Sequence, residues 1–423
     1  MLIRTRLTVR PAYAVAVGFL ALYTTYSLWR HHAFQSTGYD LGIFEQAVRS
    51  YADLRLPTSD LKGRDFPLLG DHFHPIIALL APFYAVAPRA ETLLVAQAFL
   101  FAASTIPVTR LAERLGPRGV VVGVAYGFSW GLQNAVAFDF HEICFAVPLL
   151  AFAIEALIDE QWRTAVLWAA PLVLVKEDLP VTVAAIGLYL VYRRQYRLGA
   201  ATVAFGALSF VMILFVLLPP ANPTGDYQYW DQLRPSDSEL GLLTRLATLL
   251  VLLAPTGFLA LRSPLVLLAL PTLGWRFASG NPAYWGIGYH YSAVLMPIVF
   301  GAFLAARPTR VWVCAVVTAA FTVLLPLRPP SPPLWDAAQQ AEARRILALI
   351  PDDATVAASN RVAPQLTGRC EVSLFPWHTD ADYLLVSRPS PGWPVSTDEE
   401  RRTLETVPHQ PIAESAHLVL WKR

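Results

Sequence analysis

The chain has 423 residues, of which 55% are hydrophobic and only 15% charged. Soluble globular proteins carry about 25% charged residues, so this composition excludes an ordinary soluble enzyme and points to an integral membrane protein. A net charge of +2 without a basic cluster excludes nucleic acid as a partner, and three scattered cysteines exclude a disulfide framework.

In chain order, the first apolar run is 11–29, preceded by Arg4, Arg6 and Arg10. The "RHHAFQS" that follows offers no small-x-small cleavage site, so the run reads as an uncleaved span. Further spans are expected at 91–109, 118–137, 142–158, 163–175, 179–192, 198–218, 243–261, 264–278, 291–306 and 310–326. Several are shorter than the ~20 residues of a full crossing. The expected fold is mostly α, a polytopic membrane protein of about eleven helices. The segment 75–87, "PIIALLAPFYAVA", is short, bracketed by prolines, and reads as re-entrant or interfacial.

With the N-terminus inside and 75–87 not crossing, the arginines between spans fall on the cytoplasmic side, as the positive-inside rule requires. They are Arg110, Arg114, Arg118, Arg163, Arg193, Arg194, Arg197, Arg262, Arg307 and Arg310. The loops 30–90, 138–142, 176–178, 219–242 and 279–290 then lie outside a cytoplasmic membrane, as does everything after 327.

Residues 1–326 thus form a transmembrane domain, and 327–335, "LRPPSPPLW", a Pro-rich linker. Residues 336–423 read as a small extracytoplasmic α/β domain. "DAAQQAEARRILALI" has a helical pattern with Ala338, Ala341, Ile346 and Leu349 on one side. "ATVAAS", "EVSLFP" and "DYLLVSR" read as buried strands, "STDEERRTLETV" as a capped helix and "AESAHLVLWKR" as a closing strand. No Gly-rich phosphate loop marks a nucleotide site.

Ionisable residues at membrane depth are costly and mark functional sites. "GYDLGIFEQAV" places Asp40 at the start of a helix whose Leu41, Phe44, Val48 and Tyr51 would lie on the membrane surface. Asp40 either caps that helix or belongs to a site; Glu45 reads as an i,i+4 partner of Arg49. "GDHFHP" offers Asp71, His72 and His74 as metal ligands or general bases. "FDFHE" puts Asp139, His141 and Glu142 in one tight outer turn, more titratable groups than such a turn needs, with helix capping as the alternative. In "LVKEDLP", Lys176 either pairs with its neighbours Glu177 and Asp178 or meets a lipid phosphate. "YWGIGYHYSA" brings His290 and Tyr291 to the start of a span, where the aromatics also suit an interface belt. Together these describe one external cavity suited to a substrate with a phosphate head and a lipid tail.

The motifs "YDLGIFEQA", "GDHFHPIIALLAPFYA", "FDFHEICFAVPLL", "VKEDLP" and "HYSAVLMP", in that order, resemble the bacterial and archaeal family of predicted membrane proteins known as domain of unknown function 2079. "IPDDATVAASNRVAPQLTGR" with "FP" and "DYLLV" resembles the outer domain of many members. The family's layout is similar to that of the C-type glycosyltransferases, which use polyprenyl-phosphate sugars. That resemblance implies transfer of a sugar from a polyprenyl-phosphate lipid to an extracytoplasmic glycan, lipid or protein. Asp40 would be the general base, Asp71 and His72 would match the later part of the same loop, and Lys176 would face the donor phosphate. It also leaves room for a divalent metal ion. Because Leu41 follows Asp40, Glu45 or Asp71 would have to supply any second ligand. The rival readings are a lipid or envelope-polymer transporter and a non-catalytic envelope scaffold.

Overall fold

The computed structural model describes residues 11–225, 227–233, 239–309, 311–322, 335–389, 393–407 and 410–423. Arg4, Arg6, Arg10, Arg310 and most of the 327–335 linker lie outside the described residues.

The N-terminal part is almost entirely helical. Among the described residues, five helices are long and apolar enough to cross a membrane: Pro11–His32, Ala90–Glu113, Pro117–Ala137, Tyr196–Ala221 and Glu239–Thr256. The other expected spans are helical but shorter: Ile143–Ile158, Trp162–Leu174, Leu179–Tyr192, Pro264–Ala278 and Leu295–Ala305, with Trp312–Thr322 at the end of the series. Prolines account for part of the shortening. Pro171, Pro180 and Pro264 each sit in the first turn of a new helix or 3-10 turn, where the missing N–H costs nothing. Leu295–Ala305, with 11 residues, rises only about 16 Å, about half of a hydrocarbon core.

The helices are apolar outside as well as inside. Val17, Leu188, Leu208, Phe215, Leu243 and Val316 are exposed, while Tyr126, Trp130, Phe300 and Phe303 fill the core. An all-round apolar helix belongs in a core or in lipid. Pro75–Val86 is a 3-10 turn running into a short helix. It exposes Leu79, Phe83 and Val86 and buries Ile76, Ile77, Leu80 and Tyr84.

The bundle has two chemically distinct ends. Helix Ala90–Glu113 packs along both Pro11–His32 and Ile143–Ile158. At one end Arg110 pairs with Glu155, Arg114 with Asp159 and Arg193 with Glu160. At the opposite end of the same helices lie Arg30, Gln97, Asp139 and Glu142, within the candidate site.

The C-terminal part is α/β. We number the strands after the short ladder β1 (Thr58–Ser59) and β2 (Phe66–Pro67). Strands β3 (Thr355–Ala358), β4 (Glu371–Leu374), β5 (Tyr383–Ser387), β6 (Gln410–Glu414) and β7 (Leu418–Lys422) form one sheet in the order β4-β3-β5-β7-β6. β3 runs parallel to β4 and β5, and β7 antiparallel to β5 and β6. The expected closing strand is therefore a hairpin, turned at Ser415, whose N–H donates to Leu418 O. Helix Ala337–Leu347 begins with a capping box between Asp336 and Gln339. Its buried stripe is Ala343, Ile346, Leu347 and Ile350, whereas Ala338, Ala341 and Leu349 are exposed. The expected face was wrong because the neighbouring i, i+3, i+4, i+7 frame also fits the pattern and buries longer side chains against β7.

This unit docks directly on the loop after the first helix. Gly38 N donates to Asn360 O at 2.7 Å and Tyr39 N to Asn360 Oδ1 at 2.8 Å. Helix Ile43–Ala52 follows; from it Gln46 Nε2 donates to Val372 O at 2.7 Å and Arg49 to Cys370 O at 3.0 Å, covering the edge strand β4. A Cβ on Gly38 would stand 2.9 Å from Ala363 Cβ, and one on Gly42 2.7 Å from Leu61 Cδ1 and 3.3 Å from Thr367. Both glycines are needed for the close approach. Leu41, Phe44 and Val48 are consequently buried within the protein and Tyr51 is half-buried. They do not lie on a membrane surface, as expected from sequence, because the α/β unit and segment 75–86 enclose them.

Candidate functional site

Asp40 lies in the irregular turn Gly38–Gly42 that leads into helix Ile43–Ala52, and its side chain caps neither element. The carboxylate instead lies 2.9 Å from His141 Nε2. His141 belongs to "FDFHE", whose side chains cap no helix either. The turn is tight because Asp139 adopts a left-handed φ of 66°, tolerable for Asp. Asp139 is held from two sides: Arg30 pairs with it at 2.9 Å and Thr37 N donates to it at 3.0 Å. Gln97 completes the turn, donating to Asp139 O and accepting from His141 N. Asp139, expected as a substrate contact, therefore locks the His141 turn to the Asp40 loop.

The "KED" residues do not pair with one another. Lys176 Nζ donates to Glu142 at 2.7 Å. Glu177 accepts from three groups: it lies 2.7 Å from His72 Nδ1 and receives Phe73 N at 3.1 Å and Tyr227 OH at 3.0 Å. Asp178 accepts from Trp275 Nε1 at 2.8 Å. His290 stacks on His141 with ring centroids 3.6 Å apart. Tyr291 packs edge-on to Tyr284. All five sequence motifs are therefore linked by direct side-chain contacts at one end of the bundle. The segment carrying His72 is placed by Gly70, whose carbonyl accepts from Asn222 Nδ2 at 2.9 Å.

Charge and burial sort the members. Burial opposes ionisation of Glu142, but Lys176 and the neighbouring histidines outweigh it and hold the carboxyl down to about 2. Burial likewise disfavours charge on Lys176, yet Glu142, Glu177 and Asp178 keep it firmly protonated. His72 is raised because Glu177 overcomes its burial, and Glu177 is lowered in turn. Burial, with the neighbouring Glu177, pushes Asp178 up to about 6; burial, with His72, pushes His74 down; and burial lowers His290 together with the nearby His141 and Lys176. The side chains of Asp40 and His72 remain 27% and 26% exposed, against 14% for Lys176 and 4% for Glu177. Asp40 and His72 are thus the more exposed members, each beside a buried partner, His141 and Glu177. His74 Nδ1, His141 Nδ1, His290 Nδ1 and Asp178 Oδ1 are buried without a hydrogen-bond partner among the described residues. Buried polar groups are normally paired with protein or ordered water.

Asp71 is engaged by Lys62 and by Tyr229 OH, the latter at 3.3 Å. Lys62 and His72 lower it despite burial. Its carboxylate is thus held by Lys62 and Tyr229, the ring of which stacks on His72. Glu45 is fully buried and accepts from Tyr84 OH at 3.0 Å and from Thr367. It does not pair with Arg49, which donates to Thr367 O and Cys370 O. The docked α/β unit supplies these better-placed partners, which sequence spacing does not reveal. Among the described residues no three His, Cys, Asp or Glu side chains converge as a metal site. The second metal ligand expected of Glu45 or Asp71 is not provided, because both are committed elsewhere.

Burial also pushes Glu45 up from 4.5 to about 7. The folded chain then binds this proton more tightly than the unfolded one, so stability falls as pH rises from about 4.5 to about 7. Replacing Glu45 by Gln is expected to flatten that part of the profile and raise the melting temperature above pH 7. Parallel melts of both proteins across the range measure the difference.

Sequence reading overlooked Tyr227, Tyr229 and Trp275. The "YQYW" run in loop 219–242 was the available signal: Tyr229 stacks on His72 at 4.5 Å and Tyr227 holds Glu177. It also overlooked Arg276, fully buried, which donates to Tyr284 O, Gly286 O and Ser292 Oγ and so fixes the loop ahead of His290.

No curated protein matches the chain. A family model described as predicted membrane protein, DUF2079, matches residues 30–411, a stretch that includes every element of the site. The chain therefore belongs to the DUF2079 family of membrane proteins.

Proposed function

We propose that the chain is a membrane glycosyltransferase that moves a sugar from a polyprenyl-phosphate donor to an acceptor hydroxyl, with Asp40 as general base. The observation that carries this reading is the convergence of five separated motifs on one site, in which Asp40 and His72 keep more exposure than Lys176 and Glu177. Asp40 takes the acceptor proton as the new C1–O bond forms, and the bond from C1 to the phosphate oxygen breaks. Polyprenyl phosphate leaves with the bonding pair, and protonated His72 and Lys176 steady its charge. Buried Glu177 and Glu142 hold these two cations in place.

The orientation we propose is supported by the same two ends of the bundle. The positive-inside rule assigns the Arg110, Arg114 and Arg193 end to the cytoplasm. The site and the α/β unit then face outward in the plasma membrane, where lipid-linked sugars rather than nucleotide sugars are at hand. On this reading the shorter apolar helices also pass through the membrane, for about eleven passes in a C-type layout, and segment 75–86 lies at the interface; the exposed Leu79, Phe83 and Val86 support the latter.

The test is purified protein in lipid nanodiscs supplied with polyprenyl-phosphate sugars bearing a radiolabelled sugar. Label appearing in a new glycoside supports the reading. Lipid movement across vesicles with no glycosidic bond formed overturns it in favour of a transporter.

A further inference from the structure

Two exposed tryptophans of the α/β unit stand against Tyr39. Trp377, just after β4, is 44% exposed, and Trp393 is 55% exposed. Both meet Tyr39, the residue before Asp40, edge to face, with ring centroids at 6.2 and 5.3 Å. The group is fixed by one buried side chain: Asn360 accepts from Tyr39 N and donates through Nδ2 to Trp393 O at 3.0 Å. The cluster thus presents exposed tryptophan surface beside the residue that precedes Asp40.

We infer that Trp377, Trp393 and Tyr39 form a carbohydrate subsite that stacks a sugar ring of the acceptor and aims its hydroxyl at Asp40. This rests on the transferase reading for the role of the bound sugar. Aromatic faces carry partial negative charge, and the axial C–H bonds of a pyranose carry partial positive charge, so the two stack while ring hydroxyls stay free at the rim. A membrane-anchoring patch would need contiguous apolar area and cations. Here the residues after Trp377 are His378, Thr379 and Asp380, and Asp380 is paired with Arg64.

The test is saturation-transfer NMR on full-length protein in nanodiscs with maltotetraose, cellotetraose, mannotetraose and chitotetraose as probes. At least one probe is expected to take up saturation at its ring C–H protons. The Trp377→Ala/Trp393→Ala double variant is expected to weaken that Kd about tenfold or more, and the corresponding double Phe variant to restore most of it. Asp40→Asn should bind the probe as the wild type does. No saturation on any probe, unchanged binding by the alanine variant, or brominated-lipid quenching of the fluorescence that this variant lacks would each overturn the inference, the last by showing a membrane anchor. Probe binding lost with the tryptophans, in a protein that transfers no sugar, would instead retain the subsite and remove the transferase reading.

Discussion

Asp40→Asn is expected to lower sugar transfer by about 10²- to 10⁴-fold, the range set by loss of a positioned general base. Asn has the same shape and can still meet His141 Nε2, so the turn Gly38–Gly42 keeps its anchors on Asn360. The melting temperature should therefore stay close to the wild-type value while the rate collapses. Initial rates with lipid-linked donor, read beside a thermal melt, separate the two effects. Undiminished transfer by the Asn variant would remove Asp40 from the mechanism and move attention to His72, the other exposed member of the cluster.

The second large effect concerns the Lys176–Glu142 pair. Lys176→Met leaves the carboxylate of Glu142 buried without its main counter-charge, and Glu142→Gln leaves the Lys176 ammonium likewise. Breaking a buried pair from one side costs about 3–5 kcal/mol, a large part of the ~5–15 kcal/mol that holds a typical domain folded. Replacing both by apolar residues of similar volume should recover most of this loss, since neither charge is then stranded. Unfolding in mixed detergent measures all three variants. Equal stability of the singles and the wild type would mean that the pair is solvated and would weaken its role in steadying a phosphate.

Much of the site was legible in the sequence, because charged residues stand out in an apolar chain. Asp40, His72, His141, Glu142, Lys176, Glu177 and His290 were all visible as groups that a membrane-embedded helix would not otherwise carry. Their pairing was not. Lys176 bonds to Glu142 rather than to its sequence neighbours, and Glu45 turns to Tyr84 and Thr367 rather than to Arg49. Spacing rules for helices see only neighbours three or four residues away, and these partners are 34 to 322 residues apart. The helical segments were legible from hydropathy, and the α/β elements from caps and strand patterns. The face of helix Ala337–Leu347 was not, because two stripes of the same period compete and only packing against β7 decides between them. The burial of Leu41, Phe44 and Val48 was hidden for a related reason: an amphipathic face next to a membrane reads the same whether lipid or protein covers it.

The clasp between Gly38, Tyr39 and Asn360 also has a consequence in time. The chain is made from its N-terminus, and the acidic loop emerges long before its fastener, which lies 321 residues further on. Until Asn360, Ala363 and Thr367 have been synthesised and delivered, Asp40 has neither its backbone anchors nor its cover. A nascent or prematurely terminated chain therefore inserts its helices with this site unassembled, and the clasp closes only once the segment carrying Asn360 has been made.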